Sequence, residues 1–322
     1  ILFVCLPLSD AVAGSNVVSS RRTQRLSGSL SERDVTLCLV PDIQNQTSQT
    51  DLSGSNPAAD CAQAAGAFCT GDPCVKSPLC DGSWRNTGAI LLRNMAYSMV
   101  GRYSDIDYST IRGGDPVLSR YPYSLDHPKC DIIIGLGDNM DTTDTVTYAQ
   151  LSEPRLHEYK MAKSFWSIIA DSGIPYIIAR GNHDGEDVFD TLITELGMAS
   201  QPTAYAQEPS HDEYAILVPT STGKSFCVIT QDYDYQLPVT DMNELTAAEE
   251  TWVANNIGCG GNHPTILASH AIVNSGYLDA KGAAIIANAA NDEVFILASG
   301  HWTPVPVDSR KWVENNVGGN TV

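Results

Sequence analysis

The feature that most limits what this chain can fold into is a set of short apolar runs, each closed by turn residues. They are Val35 to Val40, Ile132 to Leu136, Pro175 to Ala179, Tyr214 to Val218, Phe226 to Thr230, Thr265 to Ala268 and Val294 to Ala298. All are of strand length and rich in Ile and Val, whose branched stems suit a buried pleated surface. Helical patterns fall between several of them. Leu156, Tyr159, Ala162, Phe165, Trp166 and Ile169 share one helical face, and Gly173 follows as a stop. Thr246-Ala247-Ala248-Glu249 has capping-box form and opens a helix to about Asn256, ahead of Gly258. Residues 86–100 are a third helix candidate. Strands alternating with helices predict an α/β domain that carries its chemistry at strand ends.

The residues after those strands share a chemistry. "LCLVPDIQNQT" ends in Asp42 and Gln44, and "DIIIGLGDNMD" in Asp138, Asn139 and Asp141. "IPYIIARGNHDGED" delivers Asn182, His183 and Asp184, while "PTILASHAIV" and "VFILASGHWTP" deliver His270 and His301. Of seven histidines, His183, His270 and His301 alone sit in or just after apolar runs. A single Asp after a strand is usually a turn former or a helix cap. A single His there is more often a hydrogen-bonded structural residue than a ligand. Carboxylates, an amide oxygen and imidazoles arriving together at sheet edges instead make a site for borderline divalent metals.

Charge and cysteines bound the setting. The net charge of −19, from 19 basic and 38 acidic side chains, disfavours nucleic acid polymers and anionic membranes, which need basic surfaces. No run is long enough to span a bilayer. Residues 1–13 read as the remnant of a secretory signal, with Ala11-Val12-Ala13 as its small-residue tail; a buried helix is the alternative. Residues 14–34 read as a polar segment, and Arg21, Arg22 and Arg25 there as a solvated tail rather than a phosphate clamp. The main domain is then 35–322, with a cysteine-rich surface insertion at 47–84 and a C-terminus that reads as cut before a closing strand. Cys61, Cys69, Cys74 and Cys80 lack the close pairing of a zinc ribbon and read as disulfides, in one of three pairings. Cys38 and Cys227 read as buried, whereas Cys130 and Cys259 read as free or bridged. These features together predict a secreted protein.

The order D-x-Q, G-D-x-x-D, G-N-H-D, S-H, G-H resembles the calcineurin-like metallophosphoesterase superfamily, which includes the purple acid phosphatases. "VPDIQN" looks like a branch in which D-x-Q replaces D-x-H. The resemblance implies a two-sheet β-sandwich flanked by helices, with two metal ions at the strand ends. It implies that Asp138 bridges the metals, that Asn182, His270 and His301 complete one shell, and that Asp42 and Gln44 serve the other. His183 would face the substrate as proton donor or charge stabiliser, with Asp184 fixing its tautomer. Asn45 and Asn139 are the candidate substrate contacts, although Asn45 also heads a glycosylation sequon. The implied reaction is hydrolysis of a small phosphomonoester or phosphodiester by metal-bound hydroxide.

Two departures bear on the metals. The last block reads Gly300-His301-Trp302-Thr303 where most relatives have a second His, and Gln44 replaces another imidazole. Fe, Mn or Zn is expected in general, and Mg or Ca at the oxygen-rich first site. Asp141 either joins that shell or is a turn residue. The competing reading, from another class, is a non-catalytic extracellular metal-binding module that keeps the fold. Gln44 and Thr303 favour it; His183, which simple metal holding does not need, argues against it.

Overall fold

The computed structural model describes residues 2–6, 35–41, 43, 92–106, 129–140, 143, 146–208, 213–220, 223–231, 247–270, 273–274, 277–278, 294–300, 316–317 and 320–321. Two sheets form the framework. The first has the order β1 (Leu2–Leu6), β2 (Val35–Val40), β3 (Ile132–Leu136) and β4 (Tyr176–Ala179). Its β2, β3 and β4 run parallel, while β1 pairs antiparallel to β2 in the register Leu2 to Leu39. Residues read from sequence as an export-signal remnant thus supply an edge strand here. The second sheet has the order β11 (Val294–Ser299), β8 (Thr265–Ser269), β7 (Ser225–Gln231), β6 (Tyr214–Pro219) and β5 (Ala204–Gln207). Its β7, β8 and β11 are parallel; β6 and β5 add antiparallel strands at one side. Short two-residue pairs, β9 (Val273–Asn274) with β10 (Tyr277–Leu278) and β12 (Asn316–Val317) with β13 (Asn320–Thr321), lie outside both sheets.

The sheets pack face to face, β3 against β8 and β4 against β7. All of β3, Ile132 to Leu136, is buried, as expected for a parallel strand covered on both faces. One continuous apolar core runs from Ile132, Ile134 and Ile177 through Val228 and Ile266 to Phe165 and Trp166. Helices α1 (residues 92–99), α2 (Glu153–Ala170) and α3 (Glu186–Glu195) contribute to it. The face predicted for α2 is the buried one, and Gly173 stops it with φ +72°. Helix α4 (Ala247–Asn256) covers the second sheet through Val253, against Cys227, Ile229 and Leu267. The seven strand runs and three helices expected from sequence are all present, within a residue or two at most strand ends. Helix α3 and strand β5 were not anticipated.

Among the described residues each sheet carries one disulfide. Cys38 of β2 bonds Cys130 just before β3, and Cys227 of β7 bonds Cys259 after α4. Cys130 and Cys259 are therefore bridged, closing loops separated by 92 and 32 residues. Constraint of the unfolded chain by loops of that size is worth about 3 to 5 kcal/mol each. Cys61, Cys69, Cys74 and Cys80, with the 47–84 insertion and the 14–34 segment, lie outside the described residues.

Candidate metal centre

Parallel pairing places the C-terminal ends of β2, β3 and β4 at one edge of the first sheet, and those of β7, β8 and β11 at one edge of the second. Beyond β3 the chain turns sharply through Gly137 (φ +90°) and Asp138 (φ +51°). A left-handed Asp is uncommon, and such strain gathers at functional sites. A Cβ on Gly137 would stand 2.6 Å from His270 Nδ1, so only glycine lets the ring approach. Gly181, after β4, is as constrained: its Cβ would meet the Asp138 backbone N at 2.1 Å. Both glycines bring other chain segments onto Asp138.

Three sequence-predicted donors converge there across the two sheets. His270 Nε2 stands 3.0 Å from Asn182 Oδ1 and 3.2 Å from Asp138 Oδ2. Its other nitrogen, Nδ1, lies 2.8 Å from the Leu136 carbonyl. A carbonyl only accepts, so Nδ1 carries the hydrogen and Nε2 of the neutral ring is a bare lone pair. That lone pair faces an amide oxygen and a carboxylate oxygen, which are acceptors too. His270 is fully buried and Asp138 is 2% exposed, so water does little to relieve this arrangement. A cation suits such a point. His270 Nε2 thus lies 3.0 to 3.2 Å from each of the other two donors, close enough for one ion to be held by them.

The electrostatics agree. Burial disfavours the Asp138 carboxylate ion, and positive charge at His270 Nε2, a proton where a metal ion would otherwise stand, outweighs it together with the His183 backbone N–H and holds the carboxyl below the ordinary range. That N–H donates to Asp138 Oδ1 at 3.1 Å. Among the described residues no three His, Cys, Asp or Glu side chains form a metal cluster. The third donor is the Asn182 amide, an oxygen ligand suited to hard or borderline ions. Asp42, Gln44, Asn45, Asp141 and His301 lie outside the described residues.

Two expected roles are corrected. Asp184 does not orient the His183 ring: both its oxygens accept hydrogen bonds from other groups. The Asn139 backbone N–H, the Asn139 amide and the Gly181 N–H donate to Oδ2 at 3.1, 2.9 and 3.0 Å, and the Met140 N–H donates to Oδ1 at 2.8 Å. The carboxylate therefore ties the loop after β3 to the loop after β4. Burial, reinforced by the charge of Asp138, pushes it up to about 6, so it is ionised at neutral pH, the form four N–H donors require. Asn139 is not a substrate contact. It is 1% exposed; its amide also donates to the Ala179 carbonyl at 3.4 Å, and its oxygen accepts the Trp166 indole N–H at 2.9 Å. His183 itself is half-buried.

A family profile described as calcineurin-like phosphoesterase matches residues 111–303. The chain belongs to that family. Calcineurin-like phosphoesterases are metal-dependent phosphoesterases that typically bind two divalent ions, and the Asp138, Asn182 and His270 donor set fits one of them. The match begins at 111, although β2 is already paired in the phosphoesterase sheet. It carries the family and not its D-x-Q branch. No match is found among curated proteins. Sequence reasoning missed Trp166, read only as core, and Thr143. The Thr143 hydroxyl donates to the His183 carbonyl at 3.1 Å and accepts the Gly185 N–H at 3.0 Å. A buried indole usually finds an acceptor, which was the available signal for Trp166; a loop hydroxyl gives none.

Proposed function

We propose that this calcineurin-like phosphoesterase is a secreted enzyme that hydrolyses a small phosphomonoester or phosphodiester. The observation that carries the reading is the meeting of three acceptor atoms, from buried Asp138 and His270 and half-buried Asn182. In this reading Asp138, Asn182, His270 and His301 hold one ion, and Asp138, Asp42 and Gln44, with or without Asp141, hold the other. Bound divalent ions supply charge neutralisation for the phosphoryl group and acidify water. Asp138 keeps its carboxylate ionised for that purpose, aided by the His183 backbone N–H. The His183 imidazole faces the phosphate and moves a proton or stabilises charge there. Asn45 would contact the substrate. Export is supported by two buried disulfides, and no described helix is long and apolar enough to cross a membrane.

The test pairs elemental analysis with assays of p-nitrophenyl phosphate and bis-p-nitrophenyl phosphate over Mn, Fe, Zn, Mg and Ca. Turnover by the wild-type chain, and loss of at least about 100-fold in metal affinity and activity in a folded Asp138→Asn variant, are expected. No turnover at full metal occupancy would leave a metal-binding module. Metal retained by Asp138→Asn would remove Asp138 from the site.

A further inference from the structure

One buried polar contact outside the donor set remains to be accounted for. Trp166 lies on α2, fully buried, and packs against β3 so tightly that a Cβ on Gly135 would stand 2.7 Å from its ring. Phe165 holds it edge-on, with ring centroids 5.0 Å apart. Its indole N–H reaches past this apolar contact to Asn139 Oδ1 at 2.9 Å.

The consequence follows from what each group can do. An indole N–H only donates, so it fixes which end of the Asn139 amide faces the helix. With the oxygen turned to Trp166, the NH2 end must face Asp184 Oδ2 and the Ala179 carbonyl. Without the indole N–H, the buried Asn139 Oδ1 loses that hydrogen bond, and the amide is drawn from its present position toward other donors. The Asp184 carboxylate and the Ala179 carbonyl still oppose a flip, since an amide oxygen turned toward them would set acceptor against acceptor, so the amide shifts without flipping and its NH2 loses its alignment with Asp184 Oδ2. Asp184 would then shift, and with it the Asn139, Met140 and Gly181 N–H groups it gathers. Those groups flank Asp138 on one loop and Asn182 on the other.

We propose that Trp166 is a positioning residue for the metal centre, acting through the Asn139 amide and Asp184 on Asp138 and Asn182. The proposal rests on the metal-centre reading and adds a residue that touches no ligand. Such outer partners typically tune metal affinity by 10 to 100-fold, roughly the effect expected here.

The experiment measures Mn2+ binding by titration calorimetry, with thermal unfolding of each metal-free variant as a control. Trp166→Phe keeps an aromatic ring and removes the N–H; it should bind Mn2+ about 10 to 100-fold more weakly. Replacement of Trp166 by benzothienylalanine keeps the bicyclic shape and deletes only the donor, so it should show the same loss without a cavity, whether or not Trp166→Phe folds. Ile169→Ala, a cavity one turn along the same helix face, should lower the melting temperature and leave Mn2+ affinity within about twofold. In an Asn139→Ala background, Trp166→Phe should cause no further loss of affinity, because the intermediary is gone. Wild-type affinity in the benzothienylalanine protein, with binding abolished in Asp138→Asn, would overturn the proposal alone. Undiminished binding in Asp138→Asn would overturn the metal-centre reading instead.

Discussion

The two sheets bring donor atoms to one point by different means. The first sheet sends two loops, after β3 and β4, and fixes them to one another through a buried polar network around Asp184 and Asn139. Among the described residues the second sheet sends one donor, His270, whose ring nitrogen is aimed by the Leu136 carbonyl of the first sheet. Its own sheet adds the Ser299 hydroxyl, donating to the His270 carbonyl at 3.2 Å. The imidazole is thus a passenger of the first sheet. Precision at this site resides in the loops after β3 and β4, and damage there should displace donors from both sheets at once.

Glycines give the sharpest way to break that comparison. Gly181→Ala pushes a Cβ to 2.1 Å from the Asp138 backbone N, a contact that no side-chain rotation relieves. It should cost about 3 kcal/mol or more and nearly abolish metal binding. Gly223→Ala, in the turn between β6 and β7 of the second sheet, also sits at positive φ, +79°, but its Cβ meets nothing within 4 Å. Only backbone strain applies there, about 1 kcal/mol, with metal affinity unchanged. Chemical denaturation and calorimetry check both. Equal effects on metal affinity would erase the distinction between the sheets.

Acidity tests the cost of the first sheet's precision. The folded value for Asp184, about 6, lies above its ordinary value of 3.8. Burial and the Asp138 charge therefore make the folded chain bind that proton more tightly than the unfolded chain does. Stability linked to this group is fully present below pH 3.8 and is lost as pH rises through about 6, by up to about 3 kcal/mol in the metal-free protein. Asp138 is shifted the other way: its share is present above its ordinary value of 3.8 and lost below it, outside this window. Melting temperatures of metal-free wild-type and Asp184→Asn proteins between pH 4 and 7 provide the check. The wild type should lose ground relative to the variant as pH rises, and parallel curves would show that ionised Asp184 carries no such cost.

The sequence was most legible where the physics is local. β-Branched runs bounded by turns gave the parallel strands of both sheets, and the spacing from Leu156 to Ile169 gave the buried face of α2. Five polar strand ends gave the family, because oxygen and imidazole donors seldom follow so many buried strands without a shared task. Helix α3 was legible and passed over: Val188, Phe189, Leu192 and Ile193 have helical spacing and are buried, and Gly197 follows at φ +68°. Strand β5, "AYAQ", is short and largely exposed, with no apolar alternation to reveal it. The misassigned roles of Asp184 and Asn139 have a different origin. Their residue types suit catalysis and bracing equally, and only tertiary placement shows that neighbouring N–H groups and an indole already occupy them. Partners of Cys130 and Cys259 were likewise unreadable, since a pairing is a distance and not a composition.

The smallest expected effect comes from a polar contact built like the brace but placed at its periphery. Glu195, at the end of α3, accepts the Tyr159 hydroxyl from α2 and pairs with Lys163 at 2.9 Å, its side chain 36% exposed. The Tyr159 hydrogen bond first, and Lys163 after it, hold its carboxyl below the ordinary range. Because the folded value is lowered, its contribution is present at neutral pH and fades as pH falls below the ordinary value of 4.5. Solvent screens the pair, so Glu195→Gln, which keeps an acceptor for Tyr159, should cost about 0.5 kcal/mol or less at pH 7. Mn2+ affinity should not move, because no hydrogen bond of this group reaches the loops after β3 or β4. A tenfold loss of affinity in Glu195→Gln would mean that the whole helical layer, and not the Asp184 network, sets the donor positions. The contrast between the two sheets would then have to be redrawn as one between the helices and the strands.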